Sequence, residues 1–173
     1  MYEDRIKYVA FYCPLESNSE NRLAVPSSVN KINYIISTLS RNDKKVEIVS
    51  PSWTLNVRGF YGKSKRTLTN DIDLTSFGTF GVTQRYLKTF SRVLTLIEFT
   101  YYMLMNTKEN EVVIVYHSQV LSTPSRIVKA LKGIKIILEV EENYSDTSIS
   151  AFYKKLEWKI FKAADNIYFR QNY

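Results

Sequence analysis

One cysteine, one histidine, five glycines and four prolines are all that this chain of 173 residues holds of the types on which most recognisable motifs depend. The lone Cys13 excludes an internal disulfide framework. Its place in the apolar run from Val9 to Pro14 suits a reduced, cytoplasmic protein with a thiol in its core. A single His117 leaves no zinc cluster to assemble and no Cys–His signature. A Ser-His-Asp triad would have to use that same His117, without a G-x-S-x-G elbow to support it. With so little glycine, no G-x-G-x-x-G follows the first strand and no G-x-x-x-x-G-K-[ST] occurs anywhere. No metal and no cofactor are expected.

Long hydrophobic runs are missing too. No stretch reaches the about 18 uninterrupted apolar residues of a membrane span, so the chain is expected to be soluble or to lie on a surface. Its opening, Met1-Tyr-Glu-Asp-Arg-Ile-Lys, leads straight toward a strand and does not resemble a secretory leader. Acidic residues are in deficit, 17 against 24 Lys and Arg, giving a formal net charge of +7. Such an excess attracts anionic partners: nucleic acid, an acidic leaflet or phosphate-bearing substrates. Thirteen tyrosines and nine phenylalanines beside those bases also suit a membrane interface.

What is present reads as alternating strands and helices. Arg5 to Pro14 is an apolar, β-rich run stopped by Pro14, and Leu15 to Ala24 is a polar loop. Ser27 or Ser28 then makes an N-cap for an amphipathic helix from Ser28 to Ser40, with Val29, Ile32, Ile36 and Leu39 at helical spacing. Lys44 to Pro51 is a second strand, completing a strand–helix–strand unit of the size a parallel crossover needs. Trp53 to Lys65 reads as a loop, and Thr67 to Phe77 holds one short strand.

Gly78 and Gly81 punctuate the chain before a long helix, from about Thr83 to Asn106. Tyr86, Phe90, Val93, Leu94, Ile97, Tyr101, Leu104 and Met105 form one stripe about 120° wide, the expected core face. Arg85, Lys88, Arg92, Leu96, Phe99 and Met103 line the other side, basic and then apolar. Either the helix is buried on both sides, or Arg85, Lys88 and Arg92 face a membrane at phosphate headgroups.

Strand Val112 to His117 follows. Ser122 or Thr123 caps the next helix, with Pro124 at its first position and Gly133 at its end. Strand Ile134 to Val140 leads into an acidic loop. A last helix, Thr147 to Ala163, turns Ile149, Phe152, Leu156, Ile160 and Ala163 to one face, and Ala164 to Arg170 opens another strand. Five or six strands alternating with helices predict an α/β class: a Rossmann-like, three-layer α/β/α domain with a mostly parallel sheet, residues 1–173 forming one domain. A receiver domain of that architecture needs an acidic pair ending its first strand, where this chain has Tyr12-Cys-Pro-Leu15.

In open α/β sheets ligands gather beyond the carboxyl ends of the strands. Here those ends carry His117 and Ser118 after one strand, and Glu139, Glu141, Glu142, Asn143 and Tyr144 at and after the next. Carboxylates in such a place can hold sugar hydroxyls, each charge-assisted bond being worth about 1.5–3 kcal/mol. One can serve as a general base where its neighbours raise its pKa. They can equally be a solvated acidic loop capping the helix that begins near Ser145.

Val112-Val-Ile-Val-Tyr-His-Ser118, the helix after it, and Lys135-Ile-Ile-Leu-Glu-Val-Glu-Glu-Asn-Tyr-Ser-Asp146 together resemble the N-terminal half of GT-B glycosyltransferases of the family 4 type. There, a strand ending in a His-containing turn precedes one ending in a V-H-D or V-E-E loop with an aromatic. Ala163-Ala-Asp-Asn-Ile-Tyr168 is similar to the strand closing that family's first domain, and Val46-Glu-Ile-Val-Ser-Pro51 to its second strand. The loop from Leu15 to Ala24 lacks the family's glycines, and Glu141-Glu142 stands where a His-Asp is common.

The resemblance implies the N-terminal domain of a longer two-domain enzyme. Its nucleotide-sugar donor would be held mainly by a second Rossmann domain, whose paired-Glu motif has no counterpart here, so the 173 residues alone would be inactive. It implies transfer of a sugar to a carbohydrate or polyprenyl-diphosphate-linked acceptor in bacterial surface-polysaccharide assembly, at the inner face of the cell membrane. His117, Ser118, Glu141, Glu142, Asn143 and Tyr144 would line the acceptor side of the cleft, with an anionic membrane surface as a further partner. The rival reading is a self-contained flavodoxin-like protein-interaction domain without catalysis. No nucleic-acid partner is expected, since the bases are scattered, densest at Lys63 to Arg66, and no RNA or DNA motif is present.

Overall fold

Pro26 sets the first helix. The computed structural model describes residues 5–14, 20–42, 44–140 and 151–169, with only the backbone of Tyr153 and Phe169. Strand β1 (Arg5–Val9) leads to helix α1 (Pro26–Arg41), with Val25 as an N-cap that makes no side-chain cap bond. Pro26 holds the first helical position because its ring presets φ and its missing N–H is one the helix would leave unbonded anyway. The helix therefore starts two residues before Ser28, and Ser27 and Ser28 lie inside its first turn rather than capping it. Val29, Ile32 and Ile36 are buried as their spacing requires, and Leu39 is half-buried.

The chain divides into two compact units, Met1–Tyr101 and Tyr102–Tyr173. In the first, β1 pairs in parallel with β2 (Lys45–Ser50), and β2 with β5 (Ile72–Ser76). The predicted loop and short strand from Trp53 to Phe77 hold more structure than expected. β3 (Gly59–Tyr61) lies there, and β4 (Ser64–Thr69) forms an antiparallel hairpin with β5, giving the order β4-β5-β2-β1. β4 escaped the sequence reading because its residues, SKRTLT, are exposed or half-exposed and show no apolar alternation. Lys and Arg on an edge strand discourage pairing with other chains. β6 (Thr79–Gly81) pairs antiparallel with β3 in a small separate sheet. Buried Arg22 ties the described part of the loop after β1 to this unit, donating from Nη1 to the carbonyls of Ser52 and Phe77 at 2.8 Å each.

Helix α2 (Arg85–Asn106) is packed the opposite way from its hydrophobic pattern. Ser91, Thr95, Phe99 and Met103 are buried, whereas Tyr86, Phe90, Val93, Leu94, Ile97, Tyr101 and Met105 are exposed and Leu104 is half-buried. The reason is backbone satisfaction. Thr95 Oγ1 donates to the Gly78 carbonyl at 2.7 Å, Glu98 Oε2 accepts the Gly78 N–H at 2.7 Å, and Ser91 Oγ accepts the Phe80 N–H at 3.0 Å. Backbone groups taken out of water need partners, and small hydroxyls supply them at close approach. Phe99 meets Phe77 edge-on, 5.7 Å between ring centres.

The second unit is wholly parallel: β7 (Val112–Tyr116), α3 (Gln119–Lys132), β8 (Lys135–Val140), α4 (Ala151–Ala163) and β9 (Asn166–Phe169), in the order β7-β8-β9. Helix α3 begins earlier than Pro124 suggested, with Ser118 as its N-cap and Pro124 inside it. Gly133 ends it as expected, in the left-handed region at φ 64°, its N–H donating to the Lys129 carbonyl. On α4, Ile160 is buried but Phe152 is exposed, and Glu157 takes a buried place instead. Ile149 lies outside the described residues.

The α/β, Rossmann-like class with mostly parallel strands and flanking helices is thus confirmed. Among the described residues no helix is long and apolar enough to cross a membrane.

At the start of β9, Asp165 accepts from Lys129 Nζ at 2.6 Å and from the Ile136 N–H at 2.7 Å. The lysine, chiefly, holds its carboxyl below the usual carboxylate range, with the Ile136 amide adding to it. A depressed folded pKa contributes stability that is present above the unfolded value, about 3.9, and lost as pH falls through the folded one. Asp165→Asn should therefore lower the urea midpoint at neutral pH and flatten its fall below about pH 4. Parallel acid limbs for the two proteins would disprove the assignment.

Candidate functional site

His117 closes β7, and its N–H donates to the Glu139 carbonyl at 2.9 Å, continuing the pairing of Tyr116 with Glu139. The imidazole is 3% exposed, with Nε2 3.2 Å from Oε1 of Glu157, itself buried on α4, and the ring centre 5.4 Å from that of Phe161. Glu139 is buried beside the same strand end. A carboxylate at that distance can steer the imidazole electrostatically. Glu157 was missed because it sits among apolar residues of a helix read only for its apolar stripe. The available signal was an acid three residues before Ile160, on the face that Ile160 buries.

Ser118 is half-buried in extended backbone at φ −150°, ψ 130°; its carbonyl accepts the Ser122 N–H and its side chain makes no cap bond. Glu141, Glu142, Asn143 and Tyr144 lie outside the described residues. Of the expected cleft residues, His117 and Ser118 thus have a described place, one buried and one at a helix start.

A second constellation lies in the first unit, between the segment from Trp53, expected to be a loop, and the N-terminal part of α2, whose Lys88 and Arg92 were expected to face a membrane. Beyond β2, Trp53 stands edge-on to Phe11, 4.9 Å between ring centres, and the Arg92 guanidinium lies 4.7 Å above its ring. The Trp53 indole N–H is buried and has no hydrogen-bond partner among the described residues. A cavity of about 50 Å³ opens here, walled by Trp53 to Asn56, by Phe80 and Gly81 of β6, and by Lys88, Ser91 and Arg92 of α2. Gly81 is required: a Cβ there would stand 2.3 Å from the Asn56 carbonyl oxygen, closer than atoms can approach. Lys88 and Arg92 are exposed and form no ion pair among the described residues, and none of the described acidic residues lines the cavity. Arg85, Lys88 and Arg92 are exposed near the N-terminal end of α2, on the same side of the helix as buried Ser91 and Thr95, with the exposed apolar stripe opposite them.

No protein-family model matches the chain, and no curated protein does either. Among solved structures, an Escherichia coli trehalose-6-phosphate synthase bound with UDP-2-fluoro glucose aligns with 94% of this chain at a TM-score of 0.56. The fold is one half of a GT-B fold. Sequence identity is 11%, so the likeness speaks for the fold alone, and the chain spans 39% of the length of that structure's chain. The UDP-forming α,α-trehalose-phosphate synthase of Burkholderia vietnamiensis aligns with 92% of this chain and 37% of its own, at 8% identity and a TM-score of 0.46, too low to add weight.

Within this Rossmann-like fold, His117 and Trp53 share one topological feature: each follows the carboxyl end of a parallel strand, β7 and β2 respectively. Such positions are where α/β sheets collect ligands. Trp53, Gly81 and the Lys88–Arg92 pair, spread from position 53 to position 92, gave no local motif to read.

Proposed function

We propose that residues 1–173 are the N-terminal, acceptor-binding half of a family 4-type glycosyltransferase. It moves a sugar from a nucleotide-sugar donor to a carbohydrate or lipid-linked acceptor in surface-polysaccharide assembly. The observation that carries this reading is the extent of the structural likeness: nearly all of this chain aligns, with less than half of the neighbour. The donor is held mainly by a second Rossmann domain, and the acceptor meets the strand-end loops, with Glu141, Glu142, Asn143 and Tyr144 as hydrogen-bonding groups. His117, at the end of the neighbouring strand, is held beside Glu157.

The site faces an anionic membrane in this reading. The exposed stripe of α2 supplies apolar side chains for the headgroup boundary, while Arg85, Lys88 and Arg92, on the other side of the helix near its N-terminal end, favour an anionic surface through the field of their charge rather than by touching lipid phosphates. The same stripe is what favours the rival, a self-contained protein-interaction domain, since large exposed apolar patches mark contact surfaces of either kind.

The test compares the protein from the complete open reading frame with the 173-residue chain. Each is given a panel of nucleotide-sugars and a membrane extract as acceptor source, and each is sedimented with anionic vesicles at low salt. Transfer by the long form and none by the short one is expected. A reading frame ending at Tyr173, with no transfer, would leave the interaction domain. Vesicle retention should be lost in Phe90→Ser/Ile97→Ser; retention unchanged in that variant, or no retention at all, would remove the membrane from the reading.

A further inference from the structure

The cavity beside Trp53 has the chemistry of an anion subsite. Its two cationic side chains, Lys88 and Arg92, are spaced four apart on one helix and, among the described residues, are free of ion pairs and face no acid across the cavity. Arg92 is held in place by the Trp53 ring at 4.7 Å, so its guanidinium is positioned before any ligand arrives. The first turn of α2 contains no acidic residue, although acids are favoured there, and instead carries Arg85 and Lys88 against the positive end of the helix dipole. Like charges gathered without counter-charge are a cost that a bound anion removes. Four other bases of this unit are already matched: Arg5 and Lys65 to Asp73, and Arg22 and Arg66 to Glu20.

Size narrows the ligand. On the scale at which one water needs about 10–15 Å³ of such volume, this cavity takes on the order of four waters. That is room for one small oxyanion and not for a pyranose ring. We propose that Lys88, Arg92 and the Trp53–Asn56 segment form a subsite for the phosphate of a phosphate-bearing ligand, whose remainder lies outside the cavity mouth. The subsite stands on its own geometry. That the phosphate belongs to the acceptor rests on the reading of this chain as an acceptor-side half.

The experiment is a titration of the nitrogen-labelled chain with inorganic phosphate, a hexose phosphate, the same hexose without phosphate, and a short-chain prenyl diphosphate. It is followed at the Trp53 indole resonance, assigned through Trp53→Phe. Inorganic phosphate should shift that resonance with millimolar affinity, and Lys88→Ala or Arg92→Gln should each weaken binding about tenfold. Lys135→Ala, an exposed base of the other unit, should change nothing. Tighter binding of the hexose phosphate makes the source a soluble sugar phosphate; tighter binding of the prenyl diphosphate makes it a lipid headgroup. Equal affinity for the hexose with and without phosphate overturns the proposal, as does phosphate binding unchanged in both variants or an indole resonance that never moves. Phosphate binding in a protein whose long form transfers no sugar would end the acceptor reading and keep the subsite. Transfer without phosphate binding would do the reverse.

Discussion

Glu47→Leu should destabilise the chain by about 3–5 kcal/mol, the usual cost of removing one partner from a buried ion pair. Glu47 and Lys7 are 1% and 2% exposed and sit opposite each other in the parallel register of β1 and β2. The carboxylate also takes Arg5 at 3.1 Å, and the Thr75 hydroxyl donates to it at 2.9 Å. Directly opposite Glu47 on the next strand, β5, Asp73 meets Arg5 and Lys65. A leucine at 47 leaves the Lys7 ammonium in the core without the carboxylate facing it, which is the expensive outcome, since an isolated buried charge is worse than an apolar pair. Adding Lys7→Met should restore most of the loss, as replacing both partners of a buried pair is often neutral or better. Urea denaturation of the two variants at neutral pH decides it. A loss below about 1 kcal/mol for Glu47→Leu would mean that the pair behaves like a surface salt bridge. A double variant as unstable as the single one would place the cost in packing rather than charge.

Phe99→Ala should cost about 3–5 kcal/mol, whereas Ile97→Ala two residues earlier should change stability by no more than about 0.5 kcal/mol. Phe99 is fully buried against Phe77; Ile97 is 59% exposed. The contrast tests the orientation of α2 directly, because its hydrophobic pattern alone makes Ile97 the core residue. It also bears on the cavity, since the same buried face carries Ser91 and positions Arg92 over Trp53. If Ile97→Ala proved the more destabilising, the helix would pack by its apolar stripe, and both the exposed surface and the Lys88–Arg92 subsite would be lost.

Where burial and period agreed, the sequence was a good guide. β1, β2, β7 and β8 were legible as apolar runs because parallel strands covered on both faces need no alternation, and α1 was legible through Val29, Ile32 and Ile36. β4 was illegible because an edge strand made of Ser, Lys, Arg and Thr has little apolar surface to bury. Pro26 and Ser118 displaced the expected helix starts because a preset φ at the first position, or an extended residue before it, suffices without a side-chain cap. The strand-end location of His117 was legible from topology, but its partner Glu157 was not, since no local pattern ties a strand terminus to a helix some forty residues on.

By itself, then, the sequence determined the class of fold, the alternation of strands and helices outside residues 53–81, and the positive charge. These depend on local period, on punctuation by Pro and Gly, and on simple counting. The tertiary structure alone decided which side of α2 faces inward, that Glu157 meets His117, and that Trp53, Gly81, Lys88 and Arg92 enclose one cavity. Each of these rests on satisfying backbone and charged groups between segments far apart in the chain. Hydrogen bonds of that kind leave no periodic trace, because the residues that make them are chosen by position in space and not by spacing along the backbone.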